Sequence, residues 1–157
     1  LIEMRGADAY FLWEESRARH MHTLKILVVD PSTAHHEVDF ERLRLGARLI
    51  LPRLEAFRRR PLEIPLGLGH PFWIDAPRLD LDYHLHHEKL PAGSGEEALD
   101  DLLGRIASAP LDRRRPLWQI FFVEGLPGGC VAYVTKLHHA LADGMASAGL
   151  VLHALQE

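Results

Sequence analysis

The sequence holds one cysteine, Cys130, in 157 residues, so no internal disulfide can form and the chain suits a reducing compartment. Long apolar runs are missing as well: none approaches the roughly 18 residues that a membrane-spanning helix requires. The first residues, Leu1-Ile2-Glu3, have neither the basic flank nor the apolar stretch of a secretory signal. Positive charge is not in excess either. A formal net charge of −4 provides no basic surface for phosphates, which excludes a dedicated nucleic-acid binder. The two local basic runs, Arg58-Arg59-Arg60 and Arg113-Arg114-Arg115, read as solvated loops. No segment has the composition of a disordered tract, and there is no internal repeat or long linker. An initiator Met is absent and the chain stops at Glu157 in an apparent helix, so a piece of a longer, cytoplasmic protein is expected.

What is present suits one globular domain, 47% hydrophobic and 25% charged, long enough to bury a core. Met21 to Val29 (MHTLKILVV) is apolar and β-branched on both sides, as in a strand buried on both faces. Phe40, Leu43, Ala47, Ile50, Leu51 and Leu54 recur at helical spacing behind Asp39, a candidate N-cap. From Phe57 to Pro77, prolines and glycines break short apolar pieces, which predicts loops with one or two short strands. Asp80 to Leu90 alternates like a strand. Ser94-Gly-Glu-Glu97 has the form of a capping box before Leu99, Leu102, Leu103 and Ile106, and Pro110 closes that helix. Leu117 to Glu124 and Val131 to Leu137 flank Gly125-Leu-Pro-Gly-Gly129 and read as a hairpin, with Cys130 a small core residue in a strand. Ala148, Val151, Leu152 and Leu155 mark a last helix. Strands and helices follow no regular β-α-β rhythm, so the fold class is an α/β (α+β) layered domain with a mixed sheet.

The stretch with chemical content is His138-His139-Ala-Leu-Ala-Asp143-Gly144, where the second hairpin strand meets the last helix. Acyl transfer from a thioester to an alcohol needs a base that removes the hydroxyl proton as the oxygen attacks. Neutral imidazole, with an ordinary pKa near 6.5, suits that task and can then protonate the departing thiolate. Side chains alternate along a strand, so His138 shares a face with Val134 and Lys136, and His139 with Tyr133, Thr135 and Leu137. Asp143 at a helix start can cap backbone N–H groups or pair with an arginine, and Gly144 permits a tight turn. Taken alone, the same residues also admit ordinary capping and packing. His84, His86 and His87, or His35 and His36, raise the question of a metal. No cysteine or second cluster stands at structural-zinc spacing, however, and no metal is expected.

The motif is similar to the His-His-x-x-x-Asp-Gly pattern of the CoA-dependent acyltransferase superfamily. Three further segments resemble its bacterial wax ester synthase/diacylglycerol acyltransferase branch. They are Asp8-Ala-Tyr-Phe-Leu-Trp-Glu-Glu15 with Met21-His22; Asp82-Tyr-His84 through Leu90-Pro91; and Leu111-Asp112-Arg113 through Arg115-Pro116-Leu117-Trp118 with Glu124-Gly125-Leu126. The resemblance implies that residues 1–157 are the N-terminal half of a chloramphenicol-acetyltransferase-like two-domain fold. It implies His139 as catalytic base, with His138 and Asp143 beside it and Gly144, Pro116, Leu117 and Trp118 as motif and channel residues. The implied reaction moves a fatty acyl group from acyl-CoA, a substrate rather than a cofactor, to a long-chain alcohol or diacylglycerol. The implied partners are the protein's own C-terminal domain and, peripherally, a membrane or lipid inclusion. On that basis residues 1–157 alone should fold but not catalyse. A condensation-type or polyketide-associated transferase using carrier-protein thioesters is the alternative within enzymes. A non-catalytic lipid-binding half-domain is the alternative outside them.

Overall fold

The computed structural model describes residues 1–34, 36–91 and 93–141. Asp143, Gly144, His35 and the expected helix through Ala148, Val151, Leu152 and Leu155 lie outside the described residues. Twelve regular elements can be followed in chain order. They are β1 (Ile2–Glu3), α1 (Gly6–Glu14), β2 (His22–Val29), α2 (Phe40–Ile50), α3 (Glu55–Arg58), β3 (Arg59–Leu62), β4 (Phe72–Asp75), α4 (Leu81–His84), β5 (Leu85–Lys89), α5 (Gly95–Ser108), β6 (Trp118–Glu124) and β7 (Val131–His138). A four-stranded sheet runs in the order β2-β7-β6-β5, and β1-β4-β3 form a smaller one. β5 is parallel to β6, whereas β6–β7 and β2–β7 are antiparallel, so the larger sheet is mixed, as expected.

Alternation along β6 and β7 builds two cores. Ile120, Phe122, Val131, Tyr133 and Leu137 face one way and pack with Leu12 of α1 and Leu43 and Ala47 of α2. Phe121, Val123, Ala132 and Val134 face the other way, against Leu102 and Ile106 of α5. The sheet is therefore covered by helices on both sides, and β7 at its centre is buried along its whole length. Asp39 does cap α2, its carboxylate accepting the Arg42 N–H at 2.7 Å, which satisfies one of the unpaired donors of the first turn.

Several expectations need correction. β2 is not buried on both faces: it is an edge strand among the described residues, with Ile26, Leu27 and Val28 exposed. Asp80 to Leu90 is not one strand. The Asp80 side chain caps the short helix α4 by accepting the Asp82 N–H, and extended chain starts only at Leu85. Ser94 makes no side-chain cap on α5, because its own backbone is helical (φ −72°, ψ −9°), whereas a capping hydroxyl needs an extended N-cap residue to reach the first turn. Cys130 precedes β7 rather than lying in it.

The arginine runs are also more than solvated loops. Arg58 and Arg59 pair with Glu55 and Asp75. Arg115 bonds Asp80 at 2.7 Å and lies 4.2 Å over the Tyr83 ring, and Arg113 ties three segments together, as described below. No helix among the described residues is long and apolar enough to cross a membrane.

Candidate active site

β7 delivers His138 as its last residue, and the chain turns at once into a 3-10 segment, His139–Leu141. The two histidines part there. His139 stacks on Phe11 of α1, ring centroids 5.1 Å apart at 28°. His138 is fully buried and turns toward Glu15, just past the end of α1, with Nε2 3.5 Å from Oε1. His139 is half-buried, and among the described residues nothing hydrogen-bonds its ring. Its backbone is fixed, since its N–H donates to the Met21 carbonyl at 2.8 Å.

His138 is committed to the structure. Its Nδ1 accepts the Ala140 N–H at 3.0 Å, so the proton of the neutral ring sits on Nε2. Burial drives its pKa from 6.5 down to about 4, against the pull of Glu15, so the ring is neutral at physiological pH. Glu15 accepts from Arg113 Nε and Nη2 at 3.0 and 2.9 Å and from the Met21 N–H at 3.3 Å. Burial would raise the Glu15 carboxyl, but His138, Arg113 and the Met21 N–H outweigh it and hold the group below the ordinary carboxylate range. Arg113 also donates to the Leu12 carbonyl and to Glu63. The local sequence explains little of this, for Glu15 and Arg113 are 98 residues apart.

Lys136, on the same side of β7 as His138, is fully buried. Its ammonium donates to the carbonyls of Ile106 and Ala109 at the end of α5, and His22 meets the Ala107 carbonyl at 2.9 Å. A cationic donor such as the Lys136 ammonium at a helix C-terminus satisfies unpaired carbonyls and complements the helix dipole. Desolvation lowers the Lys136 pKa to about 8.

Pro116, Leu117 and Trp118, expected beside a channel, are interior residues. Leu117 and Trp118 show no exposed surface. The Trp118 indole donates to the Phe57 carbonyl at 2.8 Å, and the Leu117 carbonyl accepts the His138 N–H at 3.1 Å. The turn thus supports the histidine strand from beneath. His84, His86 and His87 diverge: His84 lies under Trp118, His86 on Phe121, and His87 against Phe40 and Glu124. Among the described residues no three His, Cys, Asp or Glu side chains are grouped to hold a metal. Next to the motif, a cavity of about 230 Å³ is lined by Ala140 and Leu141 together with Arg5, Asp8, Arg59 and Trp73.

Glu15 and Arg113 were missed as site residues by the reading of the sequence. Both lay inside segments that resembled family blocks, but nothing in their spacing pointed to His138.

The model of the wax ester synthase/diacylglycerol acyltransferase catalytic domain matches residues 4–157. A Mycobacterium tuberculosis protein assigned as a diacylglycerol O-acyltransferase is 44% identical over 142 residues, 90% of this chain and 30% of its own length. A second from that organism is 40% identical over 148 residues, 94% of this chain and 32% of its own. The wax ester synthase/diacylglycerol acyltransferase of Marinobacter aquaeolei superposes with a TM-score of 0.74 at 29% identity, over 98% of this chain and 36% of its own. The first condensation domain of the calcium-dependent antibiotic synthetase, at 20% identity and TM-score 0.66 over 88% of this chain and 34% of its own, shares the fold. The chain spans about a third of the length of these curated relatives.

Proposed function

The chain belongs to the wax ester synthase/diacylglycerol acyltransferase family, and from that premise we propose that it carries the base of an acyl-CoA-dependent O-acyltransferase, with His139 in that role. The observation that carries the assignment is the contrast between the two histidines. His138 is buried with both ring nitrogens directed at protein groups, whereas His139 is half-buried, steadied on one face by Phe11 and otherwise uncommitted among the described residues.

In the proposed reaction the unprotonated nitrogen of His139 takes the proton of an alcohol as its oxygen attacks the thioester carbonyl. The tetrahedral intermediate collapses with cleavage of the C–S bond, and the imidazolium returns the proton to the CoA thiolate. The acceptor is a long-chain alcohol or diacylglycerol, in line with the names of the relatives. Asp143 and Gly144 are given a structural part, capping and turning the chain after the histidines. A C-terminal domain supplies the opposite wall of the site. In support, Ile26, Leu27 and Val28 on β2 and Leu45 and Leu49 on α2 leave large apolar side chains exposed, surface of a kind that serves as an interface. Acceptors of this type partition into membranes or lipid inclusions, so the enzyme works on the cytoplasmic side, peripherally at such surfaces.

The test is thiol release from acyl-CoA by the enzyme at full family length, wild type against His139→Ala. Loss of a general base costs about 10²–10⁴-fold, with melting unchanged. Full activity in the variant would end the proposal. Turnover with carrier-protein thioesters in preference to acyl-CoA would move the enzyme to the condensation type, whose fold it shares.

A further inference from the structure

His138 raises a question that the reaction does not answer: why a wholly buried imidazole should face an ion pair at the point where the chain turns toward the base. Buried N–H groups need acceptors. Among the described residues His138 Nε2 has no hydrogen-bond partner, and the acceptor it approaches is Glu15 Oε1, at 3.5 Å. The opposite nitrogen, Nδ1, receives the Ala140 N–H and can do so only while unprotonated. The bond closes the turn between β7 and residues 139–141, and the middle residue of that turn is His139.

From this geometry we propose that Glu15, gripped by Arg113, is a positioning residue: its carboxylate keeps His138 in the Nε2–H tautomer, leaving Nδ1 to fix the turn that aims His139. Three further contacts serve the same end. Arg113 takes Oε2 through two parallel N–H bonds, which leaves Oε1 toward His138 and Met21. The Met21 N–H donates to Glu15, and the Met21 carbonyl takes the His139 N–H. Glu15 therefore approaches His139 by two routes, through the His138 ring and through the backbone of Met21. The opposite tautomer would place Nδ1–H against the Ala140 N–H, two donors facing each other in a dry site, and would leave Nε2 without its proton beside a carboxylate.

The inference rests on the reading of His139 as base, and its test separates the two. ¹⁵N-labelled imidazole NMR of the full-length protein reports the His138 tautomer without any turnover, and steady-state thiol release reports the aim of His139. In Glu15→Gln the carboxylate's preference for Nε2–H is lost. The expected result is a mixed or Nδ1–H tautomer together with a fall in kcat of about 10–100-fold, the scale of a small misplacement of a reacting group, with KM little changed. Glu15→Asp, which keeps the charge, should recover part of both readouts. Should Glu15→Gln fail to fold, Arg113→Lys keeps the cation, loses the fork and should shift the tautomer in the same direction.

The coupling is checked in a His138→Asn background, where an amide oxygen can accept the Ala140 N–H without help. There Glu15→Gln should cost at least several-fold less than it does beside His138. A tautomer unmoved by both Glu15→Gln and Arg113→Lys would overturn the proposal. So would a shifted tautomer with wild-type kcat, or an equal penalty in the two backgrounds. Absence of thiol release in the wild type would instead count against the reaction assigned to His139, with the NMR result still deciding the part played by Glu15.

Discussion

Acid stability should be governed in part by His84, and the size of the effect follows from its surroundings. The ring is 1% exposed, donates Nδ1–H to the Trp118 carbonyl at 2.8 Å and lies face to face with the indole, centroids 4.1 Å apart. Burial, only partly offset by the bond to Trp118, brings its pKa from 6.5 to about 4. Above pH 6.5 neither the folded nor the unfolded chain protonates this group. As the pH falls below 6.5 the unfolded chain takes up a proton that the folded state refuses, so stability drops steadily until about pH 4. At about 1.4 kcal/mol per pH unit the interval amounts to about 3 kcal/mol, a sizeable part of the roughly 5–15 kcal/mol by which domains are stable. Urea unfolding of wild type and His84→Asn at steps from pH 7.5 to 4.5 isolates this group. Asparagine keeps a side-chain N–H near the Nδ1 position but cannot titrate, and it leaves a cavity under Trp118. The variant should be the less stable at pH 7.5, and its deficit should shrink by about 2–3 kcal/mol by pH 4.5. A deficit independent of pH would show that His84 is not a neutral wedge, and the account of its burial would fail.

Two more outcomes are expected. Gly125 has φ +91° and a Cβ built there would lie 2.5 Å from the Leu90 carbonyl oxygen, whereas at Gly128 (φ +72°) nothing lies within 4 Å. Gly125→Ala should therefore lower the melting temperature well beyond the cost of about 1–2 kcal/mol for a left-handed alanine that Gly128→Ala bears alone, and equal losses in the two variants would refute the close approach. Lys136→Met leaves the Ile106 and Ala109 carbonyls without their donor, at a cost of about 1–3 kcal/mol. Because the Lys136 pKa falls from 10.5 to about 8, wild type alone gains stability as the pH rises through that window, so the measured deficit of the variant should widen there.

How much could be read from the sequence depended on whether the governing interaction was local. The β6–β7 hairpin and α2 follow from alternation, helical spacing and the Asp39 cap, all set within a few residues, and they were anticipated. The face argument for the histidines is equally local, but β7 ends at His138 and His139 opens a 3-10 segment, so strand alternation does not carry across the pair. β2 was misjudged because its apolar run says only that both faces could be buried, not whether a neighbour covers them. Ser94 misled because a capping box is defined by residue types, while the cap depends on the backbone angle of Ser94 itself. In the sequence Arg113 reads as surface charge. Its partners Glu15 and Glu63 come from 98 and 50 residues away, and no periodicity reports a contact of that range. α1 escaped notice for another reason: Ala9-Tyr10-Phe11-Leu12-Trp13 is apolar without a break, so no stripe marks it as a helix.

That unmarked helix carries much of the site. His138 ends β7 and His139 opens the 3-10 segment that follows it, so no element confined to the face of the strand can touch both. A segment that passes the end of the strand can. α1 and the residue just past its end do so, with Phe11 on His139 and, four residues later, Glu15 beside His138. Trp13, which points away from this side, is exposed. The histidine that ends β7 and the one that follows it therefore obtain two unlike environments from α1 and the residue just beyond it: an aromatic face that steadies the His139 ring, and a carboxylate 3.5 Å from the buried Nε2 of His138. Exchanging the two environments would protonate or immobilise the wrong ring. The unbroken apolar run of α1 and the pair of histidines thus form one device, which depends on the aromatic residue at position 11 and on the acid at position 15 just beyond the helix.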